Sequence, residues 1–458
     1  MKFTLKKIRI SPAHLIPLSF LTVIIVGTLI LYQPICAAAG CETDLLTALF
    51  TATTSVCVTG LVVVDTYAHW SFFGQLIILL LAQLGGLGVV TVVFGFILMT
   101  SKNISLGDRM LLKDAMNMND SRHLLRFLKR VILGTFLVEG LGALFYILDF
   151  IPRLGVKKGI WASIFQAVSA FCNAGMDVVG PDSMISLRKS PLLMIVTMVM
   201  IVLGGLGYVV WFDILRGIRN GIRKDFSPVQ IFKRLPEHTK LVIRLTLALV
   251  FGGALVFFIL EYNNPETIGD MNFWNKMMNA FFQSVTLRTA GFASVPQEKL
   301  TGASCVAGCL WMFIGGSPIG TAGGVKTVTL CLVIMNAQSY IRGRNEIVVF
   351  NRRVSEELMR KAAAIVTVSF MTVFVFTILL MATNPISLED AIYEVVSASA
   401  TVGLSRALTP NLNEVGRLII ITAMYLGRIG PISMAIFFSK NTSNMNKIHY
   451  TDGDFYVG

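Results

Sequence analysis

Eight apolar runs, each long enough to cross a bilayer, take up most of this 458-residue chain; they lie near 13–36, 70–98, 131–152, 191–215, 241–261, 305–338, 362–383 and 414–438. A helix needs about 20 apolar residues to cross the hydrocarbon core, so a chain with eight such runs is a polytopic membrane bundle. Hydrophobic residues make up 54% and charged residues 14%, against about a quarter charged in soluble domains. A soluble protein of roughly three domains and a disordered chain are both excluded. The net charge of +13 would suit a nucleic-acid binder, but the basic residues sit in short blocks between the apolar runs. Those before the first run, those in loops 99–130, 216–244 and 341–361, and Lys440 and Lys447 account for 27 of the 39 Lys and Arg. Every second connection is therefore basic, which predicts a cell-membrane protein with both termini cytoplasmic. Ala37-Ala38-Ala39 resembles a signal-peptide cleavage site, but the length of the first run argues for a retained helix. Seven cysteines, an odd number, imply no disulfide framework; Cys36 and Cys41 are the one pair placed to join.

Each of the other connections holds a second, shorter apolar stretch, at 44–53, 160–168, 274–284 and 389–397. Ten residues make about 15 Å of helix, half a bilayer. Such a helix lies on the membrane surface or turns back within protein, and the residues after each stretch decide for the second. The loops read Thr54-Ser55-Val56-Cys57-Val58-Thr59-Gly60-Leu61, Ser169-Ala170-Phe171-Cys172-Asn173-Ala174-Gly175-Met176, Val285-Thr286-Leu287-Arg288-Thr289-Ala290-Gly291-Phe292 and Ser397-Ala398-Ser399-Ala400-Thr401-Val402-Gly403-Leu404. Their glycines are 115, 116 and 112 residues apart. A second marker recurs on the helix after each loop: Gly85-Gly86-Leu87-Gly88, Gly204-Gly205-Leu206-Gly207, Gly315-Gly316 and Gly427-Arg428-Ile429-Gly430. The chain is thus predicted to be an all-α integral membrane protein of four tandem helix–pore-helix–loop–helix repeats around a central pore, with eight spans and four re-entrant half-helices. The repeats divide as 1–98, 99–215, 216–340 and 341–440, followed by a cytoplasmic tail, 441–458.

Four irregular loops gathered at membrane depth must be buried in protein or line a watery path. Glycine allows positive φ, so successive carbonyls can face one way, and rings of carbonyls can replace the hydration shell of a cation. The half-helices would aim the negative ends of their dipoles at the same point. Thr401-Val402-Gly403 is close to the start of the potassium-channel TVGYG filter, yet each copy keeps one glycine where that filter has two. Fewer carbonyl layers predict looser discrimination between potassium and sodium.

These loops resemble the Ktr/Trk/HKT superfamily of potassium transporters, most closely the bacterial Ktr-type membrane subunit, over nearly the whole chain. The resemblance rests on Val56-Cys57-Val58-Thr59-Gly60-Leu61 with Val62-Val63-Val64-Asp65, on Asn173-Ala174-Gly175, on Arg288-Thr289-Ala290-Gly291-Phe292, on Gly316-Ser317-Pro318 through Thr321-Ala322-Gly323-Gly324-Val325-Lys326-Thr327, and on the basic stretch Arg342 to Arg353. Met176 and Ser399-Ala400 depart from the usual pattern. The resemblance implies that Gly60, Gly175, Gly291 and Gly403 are filter glycines. Potassium would then sit at the carbonyls of Val58, Thr59, Asn173, Ala174, Thr289, Ala290, Thr401 and Val402. It further implies no cofactor in this chain, sodium-stimulated uptake, a homodimer, and a cytosolic ring of nucleotide-binding regulatory subunits. The basic loops 216–244 and 341–361 are docking faces for that ring or are held by anionic lipid.

The sixth run is interrupted by Gly315, Gly316, Ser317, Pro318, Gly320, Gly323 and Gly324, which predicts unwinding. With Thr321, Ala322 and Lys326 it matches the family's intramembrane gate. Arg288, Lys326 and Arg428 are the basic residues left at membrane depth, each a functional candidate by its cost. Arg428 is expected to face the cavity, tuning conduction or pairing with the gate. Arg288 is expected behind the filter, paired with an acid such as Glu394. Glu139 is read either as bonded to a neighbouring helix or as balancing Lys326. The five histidines show no metal spacing with cysteine. No nucleophile–base pair supports an intramembrane enzyme, and an alternating-access transporter would favour inverted repeats, whereas these four copies run in one direction.

Overall fold

The computed structural model describes residues 12–88, 124–344 and 346–430. The basic N-terminal residues, most of loop 99–130, the ends of the second and eighth expected spans, and the tail 441–458 lie outside the described residues.

Each repeat opens with a long helix: α1 (Pro12–Leu31), α4 (Leu124–Leu154), α9 (Glu237–Glu261) and α13 (Glu356–Thr383). The last three are long and apolar enough to cross a membrane. Along α4, Leu133, Leu137, Leu141, Leu144 and Leu148 are all exposed. They are spaced to share one helical face. Water disfavours such a stripe and lipid accepts it, so the bundle is apolar on this outer face as well as in its core.

A short buried helix follows in each repeat: α2 (Leu45–Cys57), α5 (Val156–Cys172), α10 (Phe273–Thr286) and α14 (Leu388–Ser399). Three carry a side-chain cap, with Asp44, Asn272 and Ser387 accepting from the backbone N–H of Thr47, Asn275 and Asp390, which satisfies donors that a helix start leaves unpaired. Burial works against ionisation of Asp44, but the hydrogen bonds from Thr47 outweigh it and hold the carboxyl below its ordinary range. These helices run further than the sequence suggested. Thr54–Cys57, Ser169–Cys172, Val285–Thr286 and Ser397–Ser399, expected as loop, form the last helical turns. Small and hydroxyl side chains at these positions fit the tight centre without ending the helix.

The second long helices are α3 (Phe72–Leu87), α6 (Pro191–Leu206) and α15 (Glu414–Ile429), each of 16 residues. Each stops at the last glycine of its marker, Gly88, Gly207 or Gly430, at φ of 84°, 87° and 88°. These spans were expected to continue, because hydropathy does not register a glycine whose φ has changed sign. After Gly207 the chain turns through 100° into α7 (Tyr208–Arg223), with α8 (Pro228–Arg234) beyond it. In the third repeat the break is longer: α11 (Gly302–Phe313) and α12 (Thr327–Ile341) are separated by an irregular segment. Between α12 and α13 a hairpin pairs β1 (Val348–Val349) with β2 (Arg352–Arg353).

The repeats close into a ring. The second long helix of each repeat packs on the short helix of the next: α3 on α5, α6 on α10, α11 on α14, and α15 back on α2. The ring is continuous, so the four short helices converge on one axis.

Candidate ion pathway

After each short helix a residue in the left-handed region stands two positions before the loop glycine: Val58 (φ 55°), Asn173 (60°), Thr289 (64°) and Thr401 (54°). Gly60, Gly175, Gly291 and Gly403 follow at φ of 97°, 67°, 84° and 97°. This alternation costs a non-glycine residue about 1–2 kcal/mol, and it recurs four times at equivalent positions. Backbone strain held so consistently belongs to function rather than to chance.

The four glycines touch in a ring. A β-carbon built on Gly60 would lie 2.7 Å from the Ala174 carbonyl oxygen, on Gly175 2.8 Å from that of Ala290, on Gly291 2.7 Å from that of Val402, and on Gly403 2.1 Å from that of Thr59. No side chain fits at any of the four. The carbonyl before each glycine therefore stands against the glycine of the preceding repeat, and Thr59, Ala174, Ala290 and Val402 make one layer of oxygens. Among the described residues, no hydrogen-bond donor reaches those four carbonyls or the four before them, on Val58, Asn173, Thr289 and Thr401. Buried carbonyls are nearly always paired. Eight left free in one place are oxygen ligands of the kind a cation takes. The buried side-chain oxygens of Thr59, Asn173 and Thr401 are unpartnered in the same region.

Hydroxyls anchor this arrangement. Six residues before the glycine, the Oγ1 of Thr54 and the Oγ of Ser397 accept from the N–H of Gly60 and Gly403, each at 3.0 Å. Ser169 donates instead to the carbonyl of Met176 at 2.5 Å. Val285 occupies this position in the third repeat, and its neighbour Thr286 donates to the Phe292 carbonyl at 2.7 Å. These bonds occupy the backbone groups beside the free carbonyls and leave the carbonyls themselves without a donor. The recurrence of the hydroxyl was visible in the sequence, but its role was not.

The residues Gly315, Gly316, Ser317, Pro318, Gly320, Thr321, Ala322, Gly323, Gly324 and Lys326 lie together in the irregular segment between α11 and α12. Its two ends are held by Gly315 N–H to Val325 O at 2.9 Å and Thr327 N–H to Gly316 O at 3.1 Å. Its middle docks on the glycine marker of α6, through Ser317 N–H to Gly205 O at 2.9 Å and Thr321 N–H to Gly204 O at 3.2 Å. Its far side runs under the fourth loop, so close that a β-carbon on Gly323 would lie 1.9 Å from Thr401 Oγ1. The segment thus crosses from the second repeat to the fourth just below the ring of carbonyls.

Two cations fasten it. Arg428 donates from Nη1 to Thr321 O at 2.6 Å and from Nη2 to Gly85 O at 2.5 Å, joining the segment to α3. Lys326 Nζ donates to Ala322 O at 2.6 Å and Gly323 O at 3.4 Å within the segment itself. Of the two readings of Glu139 the structure gives the first, a bond to neighbouring helices, rather than the balancing of Lys326: it accepts from Gln83 at 3.2 Å and receives Cys172 Sγ at 3.8 Å. The expected pairing of Arg288 with Glu394 fails. Arg288 is buried with its Nε unpartnered, while Glu394 is taken by Ser405 at 2.7 Å and by Thr409. The loop after Gly403 folds back over α14, and its hydroxyls reach the carboxylate first. Cys36 and Cys41 are both free thiols. At the opposite end from the irregular segment, Gln297 ties the third and fourth repeats, accepting from Gln283 at 2.7 Å and Tyr393 at 2.8 Å; nothing in the sequence marked it.

Four converging half-helices surround a ring of donor-free carbonyls with a strap beneath them, and comparison with known proteins identifies the family. The family described as "TrkH: Cation transport protein" matches residues 19–448. The chain belongs to the TrkH family. Among its relatives is the "Ktr system potassium uptake protein B" of Bacillus subtilis (strain 168), 34% identical over 99% of this chain and 98% of that protein. The "Potassium/sodium uptake protein NtpJ" of Enterococcus hirae is 35% identical over 96% of this chain and 94% of its own. The crystal structure of the potassium transporter TrkH from Vibrio parahaemolyticus shares the fold, with a TM-score of 0.74 over 95% of this chain and 86% of that one at 16% identity. As a member of the TrkH family this chain is a multi-pass membrane protein of cation transport and not an enzyme.

Proposed function

We propose that this chain is the pore-forming subunit of a Ktr-type potassium uptake system in the cell membrane. The observation that carries the reading is the ring of glycine loops with its eight donor-free carbonyls, a weak-field oxygen cage suited to a large, easily dehydrated monovalent cation. Potassium binds at the carbonyls of Val58, Thr59, Asn173, Ala174, Thr289, Ala290, Thr401 and Val402. The segment 315–326 is the gate, held shut by Arg428 and Lys326. Both termini are cytoplasmic, by the distribution of Lys and Arg, which puts α7, α8 and the β-hairpin on the cytoplasmic side. The names of the relatives favour potassium, and the word "system" in them supports a partner: a cytosolic nucleotide-binding ring, seated on a homodimer of this chain, with sodium as activator.

A second reading, a less selective sodium/potassium transporter, is favoured by the name of the Enterococcus relative and by the single glycine in each repeat. Growth of a bacterium lacking its potassium uptake systems, on limiting potassium and with or without a companion ring subunit, tests both. Potassium uptake predicts rescue, and Gly→Ser at position 60, 175, 291 or 403 should abolish it or lower potassium-over-sodium preference by about tenfold, the loss of a single 1.4 kcal/mol contact. Failure to rescue in both settings removes the proposal. Equal rescue by the serine variants removes the filter.

A further inference from the structure

We propose that α7 is a docking surface for the anionic cytoplasmic leaflet and that its seating there holds the gate segment closed. The helix leaves α6 at Gly207 through a 100° bend. With α6 upright in the bilayer it therefore lies along the membrane plane. It presents three distinct faces. Gly217 and Gly221 form one, packed on α8 so closely that a β-carbon on Gly221 would lie 2.4 Å from Ile231 Cδ1. Leu215, Ile218 and Ile222 form the second and are 60%, 43% and 74% exposed. Arg216, Arg219 and Arg223 form the third, all exposed and, among the described residues, without an ion-pair partner.

At 100° per residue the apolar and arginine stripes are adjacent. A line of bare aliphatic side chains bordered by three unpaired guanidinium groups suits the boundary between headgroups and acyl chains, and its charge complements anionic phospholipid. A protein partner of matching acidity would satisfy the arginines but would leave the aliphatic stripe unaccounted for.

The link to the gate is direct. Tyr208, the first residue of α7, donates its N–H to Ile319 O at 2.9 Å, and Ser317 and Thr321 hold the last turn of α6 on the other side of the bend. The docked segment and the flat α7 thus belong to one conformation, and a surface that binds α7 in that conformation shifts the population toward it. This inference rests on reading 315–326 as the gate.

The test uses the full chain in liposomes of phosphatidylcholine alone or with about one third phosphatidylglycerol, with rubidium flux as one readout. A second readout, in an Ile222→Trp protein, is quenching of the added fluorescence by brominated phosphatidylglycerol against brominated phosphatidylcholine. Anionic lipid should lower wild-type flux by at least about threefold. The triple variant R216Q/R219Q/R223Q should transport equally in both lipids, and the Ile222→Trp signal should be quenched more by the anionic probe. Flux that ignores or rises with anionic lipid, or a triple variant as sensitive as the wild type, overturns the proposal. So does a triple variant that loses only its response to a ring subunit, which would make α7 a protein-docking helix. Absence of flux in every liposome would instead count against the transport reading, since the quenching arm reads lipid contact on its own.

Discussion

Arg428 joins the irregular segment between α11 and α12 to α3. One guanidinium reaches the irregular segment 315–326 at Thr321 and α3 at Gly85 through separate nitrogens, a fork that a single ammonium cannot reproduce. Hydrogen bonds from a charged donor contribute about 1.5–3 kcal/mol each. Arg428→Ala should therefore release the segment and raise unstimulated rubidium flux by about tenfold or more, with ion preference unchanged because the carbonyl ring is untouched. Arg428→Lys should fall between the two. Unaltered flux and voltage dependence in Arg428→Ala would show that the residue fastens nothing that moves. The placement of Arg428 was legible in the sequence, since a charge among glycines at membrane depth stands out. The partner of Arg288 was not. Charge complementarity nominated Glu394, but Ser405 and Thr409, brought over it by the turn after Gly403, satisfy that carboxylate locally.

Among the helices, the marker glycines decide how near the outer wall can approach the centre. A β-carbon on Gly85, Gly204 or Gly427 would lie 2.1, 2.0 or 2.1 Å from the carbonyl oxygen of Val56, Phe171 or Ser399, in the last turn of the same repeat's short helix. The third repeat breaks the pattern, since Gly315 meets Gly323 of its own irregular segment. Gly427→Ala should push α15 off α14 and cost about 1–3 kcal/mol as an overpacked contact, seen as a lower melting temperature in detergent. Gly140→Ala, in the middle of α4 with open space around it, should be neutral or gain up to about 1 kcal/mol of helix propensity. Equal effects of the two substitutions would refute the close-approach role. Among the described residues hydropathy located the long helix that opens each repeat yet missed the stops at Gly88, Gly207 and Gly430, because an apolar run reads the same on both sides of a residue that has reversed its φ. It also placed the loops too early, since Thr54–Cys57, Ser169–Cys172, Val285–Thr286 and Ser397–Ser399 are still helical.

For the molecule as a whole, the near-equal glycine spacing was enough to predict four copies about an axis. Equal spacing could not say that the copies interlock, each second helix packing on the next repeat's short helix until α15 returns to α2. That closure makes the central oxygens a property of four segments at once, so damage to one repeat should weaken the whole site rather than a quarter of it. Crystals of the full chain grown in rubidium or thallium salts test this most directly, by anomalous scattering. A peak is expected on the axis, within coordination distance of the Thr59, Ala174, Ala290 and Val402 carbonyls, and it should vanish in Gly403→Ser. Peaks confined to the acidic surface, or an axial peak that survives the serine substitution unchanged, would contradict a carbonyl-built cation site.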